Sequence, residues 1–269
     1  MPTVRDIREM AGEEPITMLT AYDAVVAAIL DDAGVDVILI GDSMGNAVLG
    51  YQNTLPVTVD EIASRTAAVA RGTEDALVVA DMPFLSFGVD LSDSVAHAGR
   101  MVKEAGANAV KIESGPHTVE LTERLSELGI PVMAHVGLTP QSVNQTGYTR
   151  QGSDPKQAEE FYDLAVAHEE AGAFGCVLEH IPANLATAIT DELDIPTIGI
   201  GAGPAPDGQV LVVNDAVGLS EGTPPFAEAF GDVRAEMAGA VADYVEAVES
   251  GGFPADEHSE TAEELEELY

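Results

Sequence analysis

The 269-residue chain is 46% apolar and 22% charged, enough to bury a sizeable core and unlike a disordered chain. Its 47 acidic residues against 11 Lys and Arg give a formal net charge of −36, which repels nucleic-acid phosphates and anionic lipid and excludes both as partners. The acids are spread through segments of folded pattern, so the composition reads as halophilic, suited to a salty cytoplasm whose counter-ions screen the self-repulsion.

The opening MPTVRDIREM lacks the apolar core of a signal peptide, and no apolar run reaches the ~18 residues that span a membrane, so a cytoplasmic protein is expected. The first strand-like run is ITMLT (16–20), followed by a helical pattern over Tyr22–Ala33. VDVILIGD (35–42) comes next, then a long loop to about Val57 and a helix over Val59–Arg71, which starts at Thr58 and stops at Gly72. LVVAD (77–81) precedes a helix over Ser92–Ala105, and AVKIE (109–113) precedes one over His117–Leu128. PVMAHVG (131–137) leads into a second long loop, Leu138 to about Asp154, of the length that active-site lids have. A helix over Pro155–Ala171 follows, then GCVLEH (175–180), whose Cys176, the only cysteine, reads as a buried small hydrophobe. Pro182–Leu193 is helical, PTIGIGAG (196–203) and VLVVND (210–215) are strand-like, and Pro225–Val248 opens on a proline suited to a first helical turn. Ala255–Tyr269 is acidic with a weak helical pattern.

The eight runs are rich in Val and Ile and apolar on both faces, as buried parallel strands are. Alternating with helices, they predict a (β/α)8 TIM barrel over residues 1–254, with 255–269 as an acidic tail. A doubly wound open sheet is the alternative, since alternation alone does not prove closure.

Barrel chemistry sits at the C-terminal strand ends. Read in order, those ends carry Asp42, Asp81, Lys111 with Glu113, His135, and Glu179 with His180. Asp42, Asp81 and Glu113 offer hard oxygen donors of the kind Mg²⁺ prefers, whereas no Cys/His cluster suggests zinc. Asp42 in GDSMG also suits a cap. Lys111 and Glu113, two apart on one strand, face the same side as a simple ion pair or as part of a site. The lysine could hold a carboxylate, stabilise an enolate or form a Schiff base. Glu179 suits a general base or a cap for the helix near Pro182, and His135 a substrate contact or a satisfied core histidine. GIGAG (199–203) lacks the full nucleotide fingerprint and reads as a tight turn rather than a phosphate loop.

The motifs GDSMG (41–45), TLPVTVDEIA (54–63), ADMPF (80–84), GANAVKIE (106–113), HVGLTPQSVN (135–144), VLEHIPA (177–183) and GIGAGPAPDGQVLV (199–212) together resemble the ketopantoate hydroxymethyltransferase family, from about Thr3 to Ser259. The resemblance implies the barrel fold of the phosphoenolpyruvate/pyruvate type and transfer of a hydroxymethyl group from 5,10-methylenetetrahydrofolate to 3-methyl-2-oxobutanoate with Mg²⁺. It places Asp42, Asp81 and Glu113 at metal-associated positions, Asp42, Ser43, Asp81 and Lys111 at oxo-acid-binding positions, and Glu179 at the proton acceptor. It also implies a homo-oligomer, often a decamer. The segment NQTGYTRQG (144–152) looks shorter than the family's double-glycine version, and the acidic tail runs past the family ending. Two rival readings are a carbon–carbon lyase of related metal–oxo-acid barrels, whose Cys-bearing loop is missing here, and a non-catalytic subunit, against which Glu179 and Lys111 stand.

Overall fold

The computed structural model describes residues 2–262, so the end of the predicted acidic tail lies outside the described residues. β1 (Ile16–Thr20), β2 (Val37–Ile40), β3 (Leu77–Asp81), β4 (Ala109–Glu113), β5 (Val132–Gly137), β6 (Gly175–Glu179), β7 (Thr197–Ile200) and β8 (Gly208–Leu211) pair in parallel in sequence order. Val210 of β8 pairs with Met18 of β1, so the sheet closes into a barrel and the open-sheet alternative falls away.

Alternation along each strand explains the doubly apolar runs. Met18, Leu39, Val79, Met133, Val177 and Ile198 fill the interior, while Ala134, Val136, Cys176 and Leu178 face outward onto Ile181, Ala186 and Ile189. Cys176 is free and buried there, and burial pushes its thiol up to about 12. The surrounding helices begin where a side chain accepts otherwise orphaned backbone N–H groups: Asp23 for Ala24–Asp32, Thr58 for Val59–Arg71, Asp90 for Leu91–Lys103 and Asp154 for Pro155–Glu170.

Several elements differ from the sequence reading. The eighth strand starts at Gly208, not Val210, because Asp207 anchors its entry, accepting from Thr197 N at 2.8 Å and Gly12 N at 3.0 Å. At Gly208 any side chain would collide with the Ile16 carbonyl. Val213–Ala216 turns helical instead of extending the strand. The helix expected from Pro225 begins only at Val233, where Asp232 accepts from Ala235 N at 3.1 Å. An unpredicted helix, Val4–Met10, inserts Ile7 into the interior cluster beside the strand starts Ile16 and Val37. GIGAG is the turn expected: Gly201 and Gly203 take φ of +63° and +85° after β7.

The described residues pack as two units. Those up to Val213, with Pro224–Ala227, form the barrel; Asn214–Thr223 and the residues from Glu228 onward form the second. Within the second, Arg234 donates to Leu219 O at 3.1 Å and pairs with Glu221 at 2.7 Å, and the helix Val233–Glu249 has no buried residue. Among the described residues no helix is long and apolar enough to cross a membrane.

One buried group links the fold to pH. His168 is fully enclosed, its Nδ1 2.9 Å from Thr122 Oγ1 and its Nε2 3.4 Å from Thr118 Oγ1. Burial lowers its pKa from 6.5 to about 4. The unfolded chain therefore takes up this proton first, and stability is lost as pH falls through that window, by about 3 kcal/mol once both states are protonated. Denaturant melts in molar KCl from about pH 7 to about pH 4 should show His168→Gln lacking this component of acid destabilisation. Parallel pH curves for the two proteins would contradict it.

Candidate active site

Strand alternation carries the polar strand ends into one small cavity of about 100 Å³. Asp42 and Ser43 reach it from just past β2, Asp81 from the end of β3, Lys111 and Glu113 from β4, His135 from β5 and Glu179 from the end of β6. The room suits a small organic acid rather than a nucleotide. Asp42, Asp81, Lys111 and His135 are all buried. His180 leaves the group: as the next residue after Glu179 it takes φ of +49° and stacks its ring 5.1 Å from Phe226.

Lys111 pairs across the barrel register rather than along its own strand. Its Nζ lies 2.7 Å from Asp81 Oδ1, the residue opposite it, so the ion pair with Glu113 considered from sequence does not form. The same ammonium lies 3.3 Å from His135 Nδ1. An ammonium only donates, so Nδ1 accepts and the proton of neutral His135 belongs on Nε2. That Nε2 is 3.1 Å from Glu179 Oε2, out of line for a hydrogen bond. Burial, then the charge of Lys111, lowers the His135 pKa and keeps the ring neutral. Burial also opposes the charge on Lys111, but Asp81 and Asp42 outweigh it and hold its pKa above the ordinary value. A lysine held protonated in this way is a charge stabiliser and a poor Schiff-base nucleophile.

The carboxylates crowd one another. Asp42 N donates to Asp81 Oδ2 at 3.0 Å. Burial, then the neighbouring charge of Asp81, pushes the Asp42 carboxyl up to about 7, and burial, then Asp42, raises Glu113 well above the usual carboxylate range. Neither Asp42 nor Glu179 acts as a helix cap. The Asp42 side chain accepts from Gln141 Nε2 at 2.9 Å, and the helix Ala183–Glu192 has Pro182 at its start with no side-chain cap.

Two neighbours were not singled out from the sequence. Gln141 also donates its backbone N–H to Glu113 Oε1 at 3.0 Å. Tyr22, buried past β1, places its hydroxyl 3.0 Å from Ser43 Oγ, and burial pushes its phenol up to about 12.

Three acids crowded around one lysine resist ionising together, a cost that a bound cation would relieve, and their oxygens are the hard donors Mg²⁺ takes. Among the described residues no trio of His, Cys, Asp or Glu forms a ready-made cage. Mg²⁺ commonly needs only one or two carboxylates, filling its shell with waters and substrate oxygens, so these residues fit such an ion.

The family model described as ketopantoate hydroxymethyltransferase matches residues 2–256. A relative named 3-methyl-2-oxobutanoate hydroxymethyltransferase from Haloarcula marismortui is 72% identical over 269 residues, covering 100% of both chains. One of the same name from Geobacter metallireducens is 52% identical over 260 residues, covering 96% of this chain and 97% of its own. A solved structure of phosphonopyruvate hydrolase in complex with oxalate and Mg++ has a TM-score of 0.63 at 15% identity, covering 100% of this chain and 95% of the other, a likeness of fold alone. The chain therefore belongs to the ketopantoate hydroxymethyltransferase family of enzymes.

Proposed function

We propose that the chain transfers a hydroxymethyl group from 5,10-methylenetetrahydrofolate to 3-methyl-2-oxobutanoate, giving 2-dehydropantoate for pantothenate and coenzyme A synthesis. The observation that carries this reading is the convergence of Glu179, Lys111 and three carboxylates on one small buried cavity. The names of the relatives support the acceptor, and the oxalate and Mg++ bound by a protein of the same fold support the cation. The family reading also sets aside the lyase and the non-catalytic subunit.

Asp42 and Asp81, with Glu113 beside them, would hold Mg²⁺. A bound Mg²⁺ supplies Lewis-acid polarisation of the oxo acid's keto group. Glu179 removes the C3 proton, and the C–H electron pair becomes the enolate. Lys111 offsets the negative charge that develops. Neutral His135, its Nε2 3.1 Å from Glu179, lines the site as a substrate contact, and Ser43, held by Tyr22, binds substrate. The enolate carbon then bonds to the donor's one-carbon unit; one water supplies the hydroxyl oxygen and tetrahydrofolate leaves. Residues 138–154 form the lid. Tyr148 belongs to this segment, and its phenol is raised by burial and then by the charges of Asp42, Glu179 and Glu113.

The barrel unit is assigned the catalysis. The assembled state is a homo-oligomer, which the exposed apolar side chains Met237, Val241, Tyr244 and Val248 support. The protein works in the cytoplasm on small molecules, without nucleic acid or membrane.

Asp42→Asn and Asp81→Asn keep shape and remove charge. Each is expected to lose Mg²⁺-dependent oxo-acid binding in calorimetry by at least about tenfold, as even outer-shell changes do, with circular dichroism unchanged. Unchanged affinity in both variants would sink the cation assignment.

A further inference from the structure

We propose that Gln141 is a positioning residue that aims the Asp42 and Glu113 carboxylates at the divalent cation while leaving their charge intact, an inference that rests on the cation reading above. Gln141 sits half-buried in the turn Pro140–Ser142 that follows β5. Its Nε2 donates to Asp42 Oδ2 at 2.9 Å and to the Met82 carbonyl at 3.0 Å. Its backbone N–H is shared between Glu113 Oε1 at 3.0 Å and Oε2 at 3.2 Å. One residue thus ties together the ends of β2, β3 and β4, the three strands that deliver the acids.

The amide is the informative choice. Both partners of Nε2 are acceptors, so the orientation of the group is set: the carbonyl end could face neither. Both amide protons are used, and Asp42 is held by one oxygen while the other stays free of Gln141. Lysine or arginine here would also order the acids, but would cancel the charge that draws a cation. Glutamate would add an acid and have nothing to donate. A neutral donor fixes direction and leaves charge, the function of outer-shell partners at metal sites.

A merely structural role would look different. The loop is anchored through the backbone N–H to Glu113, and any non-proline substitution keeps that bond. Gln141→Met is similar in length and volume and removes only the amide. Mn²⁺ is titrated into the metal-free full chain in molar KCl, without substrate, and free Mn²⁺ is read by electron paramagnetic resonance. Gln141→Met should bind Mn²⁺ about 10–100-fold more weakly than the unaltered protein, at an unchanged melting temperature. Gln141→Lys, bringing its own charge, should bind more weakly still. Gln141→Asn, an amide one methylene short of Asp42, should also lose affinity, and it serves if the Met variant fails to fold. Unaltered or tighter binding by Gln141→Met or Gln141→Asn, while Asp42→Asn loses it, overturns the role of Gln141 and leaves the cation site standing. Wild-type binding by Asp42→Asn removes the cation reading itself, and this proposal with it.

Discussion

Dialysed from molar to millimolar KCl, the protein is expected to unfold in part and to lose subunits. The formal charge of −36 on one chain is the cause. Screening reaches about 3 Å at 1 M salt but about 30 Å at 0.01 M, so acids on opposite sides of the barrel begin to repel as salt is removed. The chain has little to set against this. Surface ion pairs among the described residues, such as Arg5–Glu9, Arg100–Asp60, Arg124–Glu127 and Arg234–Glu221, involve exposed partners, and such pairs contribute at most about 1 kcal/mol each. Sedimentation and thermal melts across the salt range check both parts. At high salt the species should be larger than the 28.0 kDa chain, and it should shrink and melt earlier at low salt. A melting temperature unchanged from molar to millimolar KCl would refute the salt-adapted reading, which agrees with the likeness to a Haloarcula marismortui relative.

Glu179→Gln is expected to slow exchange of the C3 hydrogen of 3-methyl-2-oxobutanoate with deuterated water by about 10²–10⁴. The substitution preserves size and hydrogen bonding but cannot accept the proton. Proton removal precedes attack on the donor, so exchange should proceed without the pterin and isolates this one step. Oxo-acid and Mg²⁺ binding should survive, because Asp42, Asp81 and Glu113 come from other strands. His135 does not replace the base: its Nδ1 faces the Lys111 ammonium and its Nε2 carries the proton. Proton NMR of the C3 signal over time gives the rate. Exchange at the unaltered rate in the variant would mean that Glu179 is not the base.

Much of the architecture was legible because period and position are local. Lys111 and Glu113 stand two apart on an apolar run, and two-residue spacing on a strand puts both on the face that proves to be the interior. Asp42, Asp81 and Glu179 announce themselves by closing such runs. What was hidden depends on contacts between distant segments. The partner of Lys111 is set by the register of β3 on β4, which neither strand encodes alone. Gln141 belongs to a loop without periodicity, and its value lies in reaching three other strand ends. His180 follows Glu179 directly but lies past the end of β6 in the left-handed region, at φ of +49°, so a shared strand end did not mean a shared site. The late start at Val233 shows that a proline offers a helix start without compelling one; Asp232 holds the cap instead. By contrast Val4, Ile7 and Met10 mark one face of a short helix, a pattern present in the sequence but only two turns long.

The reaction proposed is a cation-dependent hydroxymethyl transfer to the C3 carbon of a branched oxo acid. The most direct test is turnover in molar KCl: the protein, stripped of metal by chelation, is given 3-methyl-2-oxobutanoate and 5,10-methylenetetrahydrofolate with and without Mg²⁺, and 2-dehydropantoate is followed by NMR. The product should form only when Mg²⁺ is restored. Equal turnover in the chelated sample, or no carbon–carbon bond formed at C3 with Mg²⁺ present, would contradict it.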